Sequence, residues 1–170
     1  LKNLNSMSIS LDGPSDVQDY PRPQVNGKPS YDIVFKNLKR LDEAGFNYGL
    51  RSTITDYNVR RMSEIVEHFL DNFKTKQIHF EPLFFCGRCH TFKINAPNYR
   101  MFMREFLKAI VIADQHKVRL AYSGLRLGGL TSTFCGACGS NFSVTPFGDV
   151  TSCFEVTEKE DPRSAIFFYG

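Results

Sequence analysis

Phe134-Cys-Gly-Ala-Cys-Gly-Ser-Asn-Phe-Ser-Val-Thr-Pro-Phe-Gly-Asp-Val-Thr-Ser-Cys153 gathers three of the chain's five cysteines, Cys135, Cys138 and Cys153, around a hairpin pattern. Ser143 to Thr145 and Val150 to Ser152 read as short strands, with Pro146-Phe147-Gly148-Asp149 as the turn between them. A hairpin returns its second end beside its first, so Cys153 is expected near Cys135 and Cys138. Three converging thiolates outline a metal or iron–sulfur site. Three separate buried cysteines are the plainer reading, because free Cys packs as a small hydrophobe. Two Cys-x-x-Cys pairs in one chain, the other being Cys86-Gly-Arg-Cys89, favour ligands.

Outward from this stretch the grammar changes. Met7, Ile9 and Leu11 alternate with serines, which predicts a strand over 6–11 that Asp12-Gly13-Pro14 stops. The polar, proline-rich segment 15–29 reads as a loop. Ser30 is placed to cap a helix over 31–44 that Gly45 terminates. A strand over 47–55 follows, then a helix over 58–74 carrying Val59, Met62, Ile65, Val66, Phe69, Leu70 and Phe73 at helical spacing. A third strand over 76–82, a helix from Pro97 to about Gln115 and a fourth strand over 117–122 complete the series. Alternating strands and helices argue for an α/β fold with a parallel sheet, or part of an α/β barrel. Ligands in such folds sit at the C-terminal ends of the strands. The loops to inspect are therefore 12–29, 55–58, 82–97 and 123–135.

Composition narrows the function classes. The chain has 170 residues, 16 Phe, no Trp and a net charge of +3. That length holds one ordinary core, and that charge is too mild to argue for nucleic acid or a membrane surface. The sequence contains no membrane-span-length apolar run and no signal-peptide pattern. An odd cysteine count with close pairs favours reduced thiols and a cytoplasmic setting. The start at Leu1 and the apolar run Phe167-Phe168-Tyr169-Gly170 both read as cut ends of something longer.

Three passages together resemble the radical SAM superfamily, in particular its peptide maturases with a SPASM or twitch extension. One is Ser8-Ile9-Ser10-Leu11-Asp12-Gly13-Pro14 with Asp19, Arg22 and Ser30-Tyr31-Asp32-Ile33-Val34, followed by Asn37 and Leu38. Another is Gly45 through Arg51-Ser52-Thr53-Ile54-Thr55 to Asn58. The last is the cysteine stretch, because the family's extension opens with a cysteine, a spacer, a glycine, four residues and a second cysteine. Here twelve residues separate Cys135 from Gly148, or nine separate Cys138 from it, and four more precede Cys153. The family's Cys-x-x-x-Cys-x-x-Cys motif is absent from these 170 residues.

The resemblance implies that residues 1–133 are the second half (the C-terminal half) of a partial (β/α)6 TIM-like barrel. Residues 134–170 would begin the cysteine-containing β-hairpin extension, an auxiliary iron–sulfur domain. It implies S-adenosyl-L-methionine and a [4Fe–4S] cluster as cofactors of the intact enzyme. Ser10 would lie toward the SAM ribose, with Asp12 beside it as a further cofactor-binding residue at the strand's mouth, and Arg22 and Arg51 toward the SAM carboxylate. Cys135 or Cys138, with Cys153, would hold the auxiliary cluster. It further implies a peptide or protein substrate modified by hydrogen abstraction with a 5′-deoxyadenosyl radical, an electron donor such as ferredoxin or flavodoxin, and a fragment inactive by itself. Neither nucleic acid nor a membrane is expected as a partner.

Two other readings stand beside this one. Cys86, Cys89, Cys135 and Cys138 would make a structural zinc site in a non-enzymatic module, with His90 a further candidate ligand. An open sheet edge would alternatively receive a peptide strand without any metal. Glu81, at the mouth of the third strand, faces either a substrate or an arginine.

Overall fold

A computed structural model of the chain describes residues 4–84, 94–125, 132, 135–138 and 141–169. They form two compact units, Leu1–Leu125 and Arg126–Gly170. The division expected from the sequence, between 133 and 134, falls on residues outside the described set, as do Cys86, Cys89 and His90.

The first unit is a mixed α/β structure on a four-stranded parallel sheet. Its strands are β1 (Met7–Ser10), β2 (Tyr48–Ile54), β3 (Gln77–Pro82) and β4 (Arg119–Ala121), and they lie side by side in chain order. Registers are regular: Ser10 pairs with Arg51, Arg51 with His79, and His79 with Ala121. Sequential order without a reversal is compatible with part of an α/β barrel.

Alternation along each strand separates the two faces of this sheet. Leu50 and Ile54 of β2, Ile78 and Phe80 of β3, and Leu120 of β4 join one core with residues of the helices. Those helices are α1 (Ser15–Asp19), α2 (Tyr31–Glu43), α3 (Met62–Asn72) and α4 (Tyr99–Gln115). Phe69, Phe80 and Phe106 are fully buried, each worth about 1.5–3 kcal/mol of transfer free energy. On the opposite face, Ser8, Ser10 and Arg51 are exposed and Thr53, His79, Glu81 and Ala121 are partly exposed.

Helix ends depart from expectation in instructive ways. Ser30 precedes α2, but its hydroxyl donates to the Arg22 carbonyl at 2.6 Å and accepts from Gln18 Nε2 at 3.0 Å. The cap comes instead from Asp19, whose Oδ1 accepts from the backbone N–H groups of Ser30 and Tyr31 at 2.7 and 2.8 Å. A carboxylate at a helix N-terminus satisfies orphan donors and opposes the dipole. Asp19 can reach because the segment expected as loop contains α1, which the fully buried Val17 anchors. At the far end, Gly45 takes φ +62° while Phe46 N–H donates to Leu41 O, closing a Schellman turn.

The helix expected over 58–74 is a short 3-10 turn, Val59–Arg61, followed by α3. Asn58 does not cap it, because its side chain closes the turn after β2, accepting from Thr55 N and donating to Thr53 O. α4 is capped by Asn98, which accepts from Arg100 N and Met101 N, so Pro97 sits before the cap. The segment after β3 is fixed at both ends, to the last residue of β2 and to the turn that follows it. Leu83 N–H donates to Ile54 O at 2.8 Å, and Asp56 N–H donates to Asn95 O at 3.0 Å.

The second unit contains the antiparallel pair β5 (Ser143–Val144) and β6 (Val150–Thr151). The expected turn joins them, with Gly148 at φ +89° and Thr145 N–H donating to Asp149 O. The apolar run at 167–169 pairs with β6. Ser152 N–H donates to Phe167 O, and Tyr169 N–H donates to Val150 O, each at 2.9 Å. The short helix α5 (Ser164–Phe167) delivers that run.

Replacing Asp19 by Ala removes both acceptor bonds and should destabilise the first unit by about 1–2 kcal/mol. Asp19→Asn, which keeps a carbonyl acceptor, should retain most of that stability. Urea unfolding followed by circular dichroism measures both, and an unchanged midpoint for Asp19→Ala would refute the cap.

Candidate functional site

Strand β1 ends at a single buried carboxylate. Asp12 is 1% exposed, and its two oxygens are committed to different partners. Oδ1 accepts from Thr53 N–H of the neighbouring strand at 2.8 Å, and Oδ2 accepts from Arg22 Nε at 2.6 Å. Arg22 reaches on to Thr53 Oγ1 at 2.9 Å. The Asp12 backbone is held too: its N–H donates to Gln18 Oε1 and its carbonyl accepts from Ser52 Oγ. Burial pushes the carboxyl above the ordinary aspartate value, while the Arg22 charge and the Arg22 and Thr53 hydrogen bonds pull it back. The next residue must be glycine. Gly13 has φ +153°, and a Cβ there would stand 3.0 Å from Ile65 Cγ1.

The two arginines singled out from the sequence therefore sit in different environments. Arg22 spends two of its nitrogens on Asp12 and Thr53. Arg51 stands on the open sheet face, its side chain 52% exposed, and its nearest carboxylate oxygen is Glu81 Oε2 at 3.8 Å. Ser10, its register partner on β1, is exposed on the same face. Ser10 and Arg51 thus present a hydroxyl and a guanidinium side by side, a combination suited to a carboxylate-bearing ligand.

Glu81, expected at the mouth of the third strand, has His79 two positions before it on β3. The structure joins them. Glu81 Oε2 lies 2.6 Å from His79 Nε2 and accepts from Ser123 Oγ at 2.8 Å. The signal was period-2 spacing, which puts positions 79 and 81 on one face of a strand. Ser123 follows β4 and could be placed only by the fold.

In the second unit, Cys135 and Cys138 are exposed, Cys153 is partly exposed, and all three thiols are free. Cys135 precedes a 3-10 turn over Gly136–Cys138, and the Cys138 thiol points at the Cys135 carbonyl at 3.3 Å. Among the described residues, no three His, Cys, Asp or Glu side chains are gathered as a metal site.

Asp12→Ala should lower stability by about 2–4 kcal/mol, because it strips acceptors from Thr53 N–H and Arg22. Asp12→Asn should cost less, since its amide oxygen still serves Thr53. Arg51→Ala should stay within about 0.5 kcal/mol, as expected of an exposed side chain. Chemical denaturation of the three variants checks the ranking, and a large loss in Arg51→Ala would make that residue structural.

No family model matches the chain. It is 22% identical over 160 residues to a cysteine-type anaerobic sulfatase-maturating enzyme of Clostridium novyi, covering 86% of this chain and 42% of that enzyme. It is 33% identical over 70 residues to an uncharacterised protein of Methanothermobacter thermautotrophicus, covering 41% and 25% of the two. Among solved structures it resembles native anSMEcpe with bound AdoMet and Kp18Cys peptide. There the TM-score is 0.65 at 18% identity, covering 91% of this chain and 46% of that one. The chain thus spans less than half the length of the proteins it matches. The structural match shows a shared fold over nearly the whole of this chain.

Proposed function

We propose that the chain is part of a radical SAM peptide maturase. Residues 1–133 would form the second half of a partial (β/α)6 barrel, and residues 134–170 would open a SPASM-type extension. The observation that carries this reading is the row Ser10–Arg51 on the uncovered face of a sequentially ordered parallel sheet. That is the face and strand end at which an α/β barrel receives its ligand. The donor set fits S-adenosylmethionine: Arg51 offers a planar fork to its carboxylate and Ser10 a hydroxyl to its ribose. Asp12 and Arg22 hold the strand ends from which these side chains project.

Bound with its cluster, the cofactor supplies the hydrogen-abstracting radical. This chain's residues bind and orient. Its 170 residues carry no Cys-x-x-x-Cys-x-x-Cys, so on this reading they generate no radical alone. Cys153, with Cys135 or Cys138, has the thiolate chemistry for an auxiliary [4Fe–4S] cluster. A peptide or protein is the fitting substrate, and a small reduced iron–sulfur or flavin protein the fitting electron donor, in a reducing cytoplasm.

Equilibrium dialysis with labelled S-adenosylmethionine under anaerobic conditions tests the reading. Arg51→Ala should weaken binding by about tenfold or more, the scale of one lost charged hydrogen bond, with an unchanged circular dichroism spectrum. Absence of binding to the native protein would sink the assignment. After reconstitution with iron and sulfide, the native protein should bleach on dithionite, and Cys153→Ser should hold less iron. A colourless protein carrying about one zinc per chain would instead favour a four-thiolate zinc site.

A further inference from the structure

On the helix side of the first unit, α2 and α3 are joined through four aromatic side chains. Tyr31, Phe35, Phe73 and His68 form a closed ring, with neighbouring centroids 5.2, 5.4, 5.8 and 6.3 Å apart. Within it His68 Nε2 lies 2.9 Å from Tyr31 Oη. Lys39 of α2 completes the group, its Nζ over Phe35 at 5.4 Å and Phe73 at 5.6 Å while it donates to the Asn72 carbonyl. Asn72 decides the tautomer of the histidine. Its Nδ2 donates to the His68 carbonyl at 2.8 Å, which fixes the orientation of the amide, and lies 3.4 Å from His68 Nδ1. An amide nitrogen only donates, so Nδ1 carries the lone pair and Nε2 gives its hydrogen to Tyr31. A second proton, on Nδ1, would set one N–H against another. Burial holds this imidazole below its ordinary value, against the pull of Asp71 and Glu64 on its own helix. Glu64 is itself paired with Arg61. From the side of α2 the charged groups are Lys39 and Asp32. Burial raises the Tyr31 phenol above its ordinary value, with Asp32 and Asp19 adding to the effect, so it stays a neutral partner.

We propose that His68 is a pH-sensitive latch between α2 and α3, closed while the ring is neutral and released when it takes a second proton. A protonated ring has two donors and finds one acceptor in the seam, Tyr31 Oη. Turning outward, toward the exposed carboxylates of Glu64 and Asp71, satisfies both donors and leaves Tyr31 behind. Tyr31 is also the first residue of α2. Its backbone N–H and that of Ser30 donate to Asp19, the Ser30 hydroxyl donates to the Arg22 carbonyl, and Arg22 holds Asp12. One bonded series thus runs from the imidazole on α3 to the carboxylate at the end of β1, and opening the latch loosens the segment between them. The sign follows from the depressed folded-state value, since the unfolded chain then takes the proton first. The contribution of the latch is fully present above about pH 6.5, the ordinary imidazole value, and is lost as pH falls through it. This inference stands on the aromatic ring and its hydrogen bonds, and holds whether or not a cofactor binds.

The experiment combines histidine nitrogen magnetic resonance with amide hydrogen exchange of the full chain, at about pH 7.5 and about pH 5.5, on either side of the ordinary imidazole value. Neutral His68 should show a protonated Nε2 and a bare Nδ1, and should titrate below the histidines of the urea-unfolded chain. After correction for intrinsic exchange, the Ser30 and Tyr31 amides should lose several-fold of their protection at the lower pH. The limit is about tenfold, the most a single group can release one pH unit below its unfolded value. His68→Gln keeps a donor for Tyr31 but does not titrate, so its protection should be the same at both pH values. Tyr31→Phe keeps the ring and drops the hydroxyl. There His68 should still titrate low while exchange at positions 30 and 31 no longer follows pH. A bare Nε2 in the neutral ring would overturn the latch, as would His68 titrating at or above the unfolded value. A pH response undiminished in His68→Gln would assign it to another group, and one undiminished in Tyr31→Phe would assign it to burial alone; either result defeats the proposal.

Discussion

The Asp12 carboxylate draws one donor from β2, through Thr53 N–H, and one from the segment that follows β1, through Arg22. Two chain segments more than thirty residues apart are fixed by one side chain. The backbone around it is bonded in turn, to Gln18 on one side and Ser52 on the other. Those secondary bonds decide where α1 lies, hence where Asp19 stands to cap α2. Burying a carboxylate is costly unless every lone pair finds a donor, and here the donors come from the very elements that must be aligned. The position of Ser10 and Arg51 on the open face follows from that alignment, as does their register.

Chemistry and packing are divided between the two faces of the sheet. One is filled with Leu50, Ile54, Ile78, Phe80 and Leu120 against the helices; the other bears Ser10, Arg51, His79 and Glu81. The division is local in origin, because alternate residues of a strand face opposite ways. It has the effect that substitutions on the open face can leave the core unaltered. The same separation leaves the Ser10 and Arg51 pair and the His79 and Glu81 pair side by side on the open face.

Most elements were legible because their periodicities are strong: Met7, Ile9 and Leu11 for β1, and the apolar spacing through Phe69 for α3. The hairpin was legible from Gly148 and its flanking β-branched residues. What the sequence hid was the identity of partners. Ser30 has the composition of a cap, yet Asp19 takes the role from across a loop. Arg22 and Arg51 are equivalent as letters, and only the fold sets one hard against Asp12 and leaves the other on the open face, 3.8 Å from Glu81. Ser123 joins Glu81 across 42 positions, a distance no local pattern encodes. In each case the deciding interaction is long-range and polar, where sequence patterns are weakest.

The stretch after β3 leaves the sheet at Leu83, bonded to Ile54, and is tied down again at Asn95, bonded to Asp56. The two anchors, Ile54 at the end of β2 and Asp56 just past it, lie two positions apart, so both ends of the connection are held at one place. Each doubling of such a closed loop adds only about 0.6 kcal/mol of closure entropy. A connection closed at these two anchors can therefore vary in length at little thermodynamic consequence. Variation at the strand mouth is thereby uncoupled from the stability of the fold beneath it.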